Sequence, residues 1–107
     1  MKLIIAIINY DDAGAVVQSL SKQGFSSTRL STTGGFLLAG NVTLLIGVEE
    51  DQVDQAVDII RRHSHSRKQL MPAITEMSHG FMPVMPVEVT VGGATLFVVD
   101  VERFERL

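Results

Sequence analysis

Two apolar periods alternate along this chain, and their order limits the folds open to it. "KLIIAIIN" (Lys2–Asn9) is a β-branched run between polar residues, the pattern of a central strand buried on both faces. "DDAGAVVQSLSKQG" then switches to helical spacing, with Ala13, Val16, Val17 and Leu20 on one face. Asp11 or Asp12 offers a cap, and Gly24 suits the left-handed position past the helix end. "FSSTRLST" mixes polar and β-branched residues in alternation, as a strand does. "NVTLLIGV" is another strand, with Val42, Leu44, Ile46 and Val48 on one face. "EEDQVDQAVDIIRRH" predicts a second helix, with Val53, Ala56, Val57 and Ile60 at i, i+3, i+4 and i+7. Its acids lead and its bases trail, matching the helix dipole.

Residues 66–85 are rich in Met and Pro and read as one long loop. "VEVTVGGATLFVVDV" then reads as a hairpin turned at Gly92-Gly93. The order β-α-β-β-α-β-β predicts an α+β fold in one domain spanning residues 1–107. It is a ferredoxin-like βαββαβ sandwich with an extra C-terminal strand. Two helices cover only one face of its antiparallel sheet. The other face is also rich in Val, Ile and Leu. Hydrophobic residues make up 46% of the 107, and mean hydropathy is +0.27. Packing of that face against further copies of the chain is therefore expected.

Several function classes drop out. A net charge of −3 and a pI near 5.5 oppose a basic nucleic-acid face. The chain has no cysteine, hence no disulfide and no thiol chemistry. "LIIAII" is too short to span a membrane and lacks a cleavage-site pattern, so a cytoplasmic protein is expected. No G-x-S-x-G, H-E-x-x-H or cysteine nucleophile is present, and no enzyme is expected. His63, His65, Arg61, Arg62, Arg67 and Lys68 form a small basic cluster that complements the end of the second helix. Met71, Met77, Met82 and Met85 fit either an adaptable surface or filler beneath the loop. Phe104 fits either a neighbouring subunit or the chain's own core.

"STTGGFLLAGN" (Ser31–Asn41) is the stretch richest in recognition chemistry. Gly35 and Gly40 match the opening of a P-loop, but Asn41-Val42 stands where Lys-Ser/Thr is required and a strand follows instead of a helix. From periodicity alone Gly34-Gly35 is a plain turn between strands. Against that, Thr28, Thr32, Thr33 and Asn41 concentrate hydrogen-bonding groups around it. Phe36, Leu37 and Leu38 are apolar where a loop is expected, suited to stacking on a base or a neighbouring subunit.

The whole chain resembles the PII-like cyclic-di-AMP receptor family of bacterial signal-transduction proteins. The resemblance rests on "MKLIIAI", on "TTGGFL-AGN-T-LIGVE" from Thr32 to Glu49, and on Val53-Asp54. It continues through "SR-QL" at Ser66–Leu70, "PVEV-VGGAT-FV" from Pro86 to Val98, and "V-RFE" at Val101–Glu105. It implies a homotrimer that holds cyclic-di-AMP in clefts between subunits and signals to a downstream protein. Carried over by position, the ligand contacts are Thr28, Gly35, Phe36, Leu37, Asn41 and Gly47. Thr28 and Asn41 would hydrogen-bond a base edge or phosphate oxygen. Backbone N–H groups at Gly35, Phe36 and Leu37 would face phosphate. Gly47 would let a flat purine approach the strand, although a β-bulge also explains a strand glycine. No metal and no cofactor beyond this ligand is expected, and neither nucleic acid nor membrane is expected as partner.

The sequence departs from the family pattern. Ser26 stands where Arg is usual, Leu38 replaces a second basic residue, and the long loop is short and lacks the usual Gly-Gly and Tyr. Arg29 cannot substitute for position 26, because strand alternation sends it to the other face. The alternative reading these departures support is a trimeric interaction scaffold that has lost its nucleotide, or exchanged it for ATP or ADP.

Overall fold

The structure is a computed structural model and describes residues 1–30, 40–72 and 86–107. The elements run β1 (Lys2–Asn9), α1 (Tyr10–Lys22), β2 (Ser27–Leu30), β3 (Asn41–Val48), α2 (Val53–Ser64), β4 (Arg67–Pro72), β5 (Pro86–Val91) and β6 (Ala94–Asp100). A short 3₁₀ turn, Glu50–Gln52, leads into α2. Four strands form one sheet in the order β2-β3-β1-β6, and β4 and β5 form a separate two-stranded ribbon. The pairs β1–β3, β1–β6 and β2–β3 are all antiparallel. This is the ferredoxin-like arrangement of two interleaved β-α-β units.

Two expectations are corrected by this topology. Gly92-Gly93 does not turn a hairpin, because β5 pairs with β4 while β6 pairs with β1. The positive φ expected there is present, at +78° and +89°, but it redirects the chain from the ribbon into the main sheet. The additional strands accordingly lie between α2 and β6, and β6 itself completes the ferredoxin-like sheet. Of the expected 66–85 loop, Arg67–Pro72 is strand β4; residues 73–85 lie outside the described residues. Both ends of the ribbon are rooted together, since a Cβ on Gly93 would lie 3.6 Å from that of Ser66.

Local signals explain the helices. The N-cap of α1 is Asn9 rather than Asp11 or Asp12; its side-chain oxygen accepts from the Asp11 N–H at 2.9 Å. The helix ends as "KQGF" dictates. Gly24 takes φ +87°, its N–H donates to the Ser21 carbonyl, and the Phe25 N–H donates to the Leu20 carbonyl. That pairing is the Schellman motif, and its apolar contact is supplied by buried Phe25 and Leu20. Before α2, Glu49 and Gln52 cap one another reciprocally.

Alternation decides what the sheet buries. Ile4, Ala6 and Ile8 of β1 and Val42, Leu44, Ile46 and Val48 of β3 face the helices and form the core with Ala13, Val16, Leu20, Ala56 and Ile60. The expectation that β1 is buried on both faces is met on one only. Leu3, Ile5 and Ile7 point to the opposite face and stay half-exposed, because no helix covers it. That open face also carries Thr43 and Leu45 of β3 and exposed Phe97 and Val99 of β6, each opposite an odd-numbered β1 residue.

Ile4→Ala removes a fully buried side chain between the two helices. It should lower the unfolding free energy by about 2–5 kcal/mol, read as a shifted urea midpoint at unchanged slope.

Candidate functional site

The described candidate residues fall on the open face of the sheet. Thr28 of β2 lies opposite Leu45, Gly47 of β3 lies opposite Leu3, and Asn41 lies opposite Asn9. Asn41 and Gly47 are six positions apart along β3, roughly 20 Å at the usual strand rise, with Thr28 alongside the stretch between them. The three residues therefore line one exposed surface rather than converge on a point. Gly35, Phe36 and Leu37 lie outside the described residues, as do Thr32, Thr33 and Leu38.

The β-bulge reading of Gly47 is not met. This residue continues the β1–β3 register without interruption, so it is not a β-bulge. A Cβ built on it would meet nothing within 4 Å. Among the described residues nothing requires a glycine here.

Position 26 is the weak point of the surface. Continuing the β2–β3 register by one residue brings exposed Ser26 across from Gly47. Two small residues face each other where a basic side chain would supply charge. Arg29 does not replace it. It pairs opposite Leu44, a core residue, and its guanidinium sits over the Tyr10 ring at 5.3 Å from the centroid. The alternation argument for Arg29 is thus realised in the fold.

The basic cluster at the end of α2 and the start of β4 is partly paired in place. Asp58 pairs with both Arg61 and Arg62, Lys68 pairs with Glu88 at 3.2 Å, and His63 Nε2 lies 2.8 Å from the Ser19 hydroxyl. Arg67 reaches Asp12 at 3.0 Å, and that hydrogen bond raises the guanidinium above its ordinary pKa. At the far rim of the sheet, Lys2 and Asp100 form an exposed pair that raises the ammonium and lowers the carboxyl. Among the described residues, the open face itself carries no charged side chain.

A groove among the described residues lies elsewhere. Of about 260 Å³, it runs between α1 and α2, lined by Ser19, Lys22, Gln55 and His63, and shares no residue with the open-face set. Sequence reading took Asp12 only as a candidate helix cap and did not single out Tyr10. Tyr10 is largely exposed, and its backbone N–H donates to the Gly40 carbonyl beside Asn41.

A family described as cyclic-di-AMP receptor matches residues 1–107, the whole chain. The chain belongs to the cyclic-di-AMP receptor family. The resemblance carried by "TTGGFL" and "VEV-VGGAT" is thereby shown. The chain is also similar to a solved structure described as a functionally unknown protein from Pediococcus pentosaceus ATCC 25745. The two are 42% identical, with a TM-score of 0.76 over 99% of this chain and 96% of that one. The PII-like, ferredoxin-like class agrees with both findings. Membership of a receptor family points to ligand reception rather than a reaction. Among the described residues, no helix is long and apolar enough to cross a membrane.

Gly47→Ala tests the meaning of that glycine in this family member. In the protein without ligand it should leave the urea midpoint unchanged or raise stability by about 0.5–1 kcal/mol, since strand glycine costs backbone entropy. A large destabilisation would return Gly47 to a purely structural role.

Proposed function

We propose that this chain is a PII-like signal-transduction protein of the bacterial cytoplasm that binds cyclic-di-AMP between the subunits of a homotrimer. The observation that carries the reading is the open sheet face. Among the described residues it is uncharged, apolar at Ile5, Ile7, Leu45, Phe97 and Val99, and bordered by Thr28, Asn41 and Gly47. A closed ring of copies would bury the apolar strip. The polar residues would then lie along the seam. Thr28 and Asn41 would supply donors and acceptors to a base edge or phosphate, and Gly47 would leave room for a purine plane. Gly35, Phe36 and Leu37 join the set through the sequence match.

Binding acts by population shift. A ligand at the seam favours the conformations in which its contacts are made, and a downstream protein reads the change. The second reading, a trimeric interaction scaffold without this ligand or with ATP or ADP, is favoured by Ser26 and Leu38. Loss of one charge-assisted phosphate contact weakens binding by about 1.5–3 kcal/mol, or one to two decades.

Titration calorimetry with cyclic-di-AMP, ATP, ADP and cyclic-di-GMP separates the two. The receptor reading expects saturable cyclic-di-AMP binding near one ligand per subunit. Asn41→Ala should weaken it about tenfold, and Ser26→Arg should tighten it by one to two decades. No heat with any nucleotide, before or after Ser26→Arg combined with Leu38→Arg, supports the scaffold instead.

Sedimentation tests the assembly. The native chain is expected at the mass of three copies, and Phe97→Glu should shift it to monomer by placing a charge in the apolar strip. A native monomer would remove the between-subunit cleft.

A further inference from the structure

A two-stranded ribbon is marginal on its own in water, so something must hold β4–β5 to the body. The ribbon strands pack chiefly on each other. Their anchor is Arg67, the first residue of β4. Its Nη2 donates to Asp12 Oδ1 at 3.0 Å, and its Nη1 lies 3.3 Å from both Asp12 Oδ2 and the His65 carbonyl. Asp12 is buried, with its side chain 8% exposed, and Asp11 beside it adds to the negative field. The fork is thus bidentate on a carboxylate withdrawn from water, which fixes direction as well as distance.

Gly92 closes the other side. At φ +78° a Cβ there would sit 2.5 Å from Arg67 Nη1, 2.7 Å from the His65 carbonyl and 3.2 Å from Asp12 Oδ2. A side chain at 92 therefore forces Arg67 Nη1 and the His65 backbone to shift. One point therefore joins the end of α2, the start of β4 and the exit from β5. The same first turn of α1 also holds the candidate site. The Tyr10 N–H donates to the Gly40 carbonyl, and Asn9 pairs in register with Asn41.

We propose that Asp12, Arg67 and Gly92 form a latch that sets the direction of the β4–β5 ribbon, and that the first turn of α1 links this latch to the Gly40–Asn41 end of β3. Asp12 and Arg67 are positioning residues and touch no ligand. A ligand that holds Asn41 then biases the ribbon, and by linkage an opened latch changes ligand affinity by the same factor. Only this last consequence rests on the proposed function.

The test is amide hydrogen exchange on the full chain, resolved by residue, in the native protein, in Gly92→Ala and in the Asp12→Asn/Arg67→Gln double variant. The double variant avoids a buried carboxylate left without its partner. Protection of the β1 and β3 core amides monitors folding in both. Ribbon amides at 68–71 and 87–91 should exchange at least tenfold faster in each variant, and so should the Tyr10 amide. Unchanged ribbon exchange overturns the latch. A faster ribbon with an unaltered Tyr10 amide overturns the link to β3. Cyclic-di-AMP titration supplies a separate arm. If the native chain binds, a dissociation constant altered threefold or more in both variants supports the coupling, and an unaltered one refutes it. If the native chain does not bind, the proposed ligand falls while the exchange data still decide the latch.

Discussion

Pairing of β1 with β3 on one side and β6 on the other commits each side chain of these strands to one of two surfaces. Two helices are available, and both lie on the same side. The even-numbered residues from Ile4 to Ile8 and from Val42 to Val48 are sealed from water, while their odd-numbered neighbours are left half-exposed or exposed. A slip of one residue would exchange the two sets, so the register is strongly specified. The placement of Thr28, Asn41 and Gly47 is a by-product of this choice. Asn41 and Gly47 sit on the outward surface because Val42, Ile46 and Val48 beside them are needed in the core, and Thr28 shares that surface through its pairing with Leu45.

That constraint explains which parts of the molecule were legible in the sequence. β3 was readable to the residue, because Val42, Leu44, Ile46 and Val48 alternate without a break. The end of α1 was readable because Gly24 has one conformational purpose there. The ribbon was not. "RKQLMP" shows no alternation of apolar and polar residues, since neither face of a protruding two-stranded ribbon is sealed in a core. The Gly92-Gly93 pair was read as a hairpin because positive φ serves a hairpin and a change of sheet equally well. Which of these occurs depends on Arg67 and β4, outside any local window.

The candidate site was legible only in part for a related reason. Alternation puts Asn41 and Gly47 on one face of β3 but does not say that Thr28 shares it. That requires the β2–β3 register, a tertiary fact. Conversely, Asp12 looked like an ordinary acid in a first helical turn. Its burial and its partner 55 positions away are invisible to local reasoning. Charge near a helix start is usually a matter of dipole and capping, and here Asn9 performs the capping and releases Asp12 for the ion pair.

The ribbon leaves and re-enters the body at nearly the same place, Ser66 against Gly93. An inserted segment whose two ends meet makes little demand on its host. Its length and composition can drift while the sheet register, the helix packing and the outward surface stay as they are. Provided the Asp12–Arg67 anchor is kept, the rest of the appendage is free to be rewritten without disturbing the sheet that carries it.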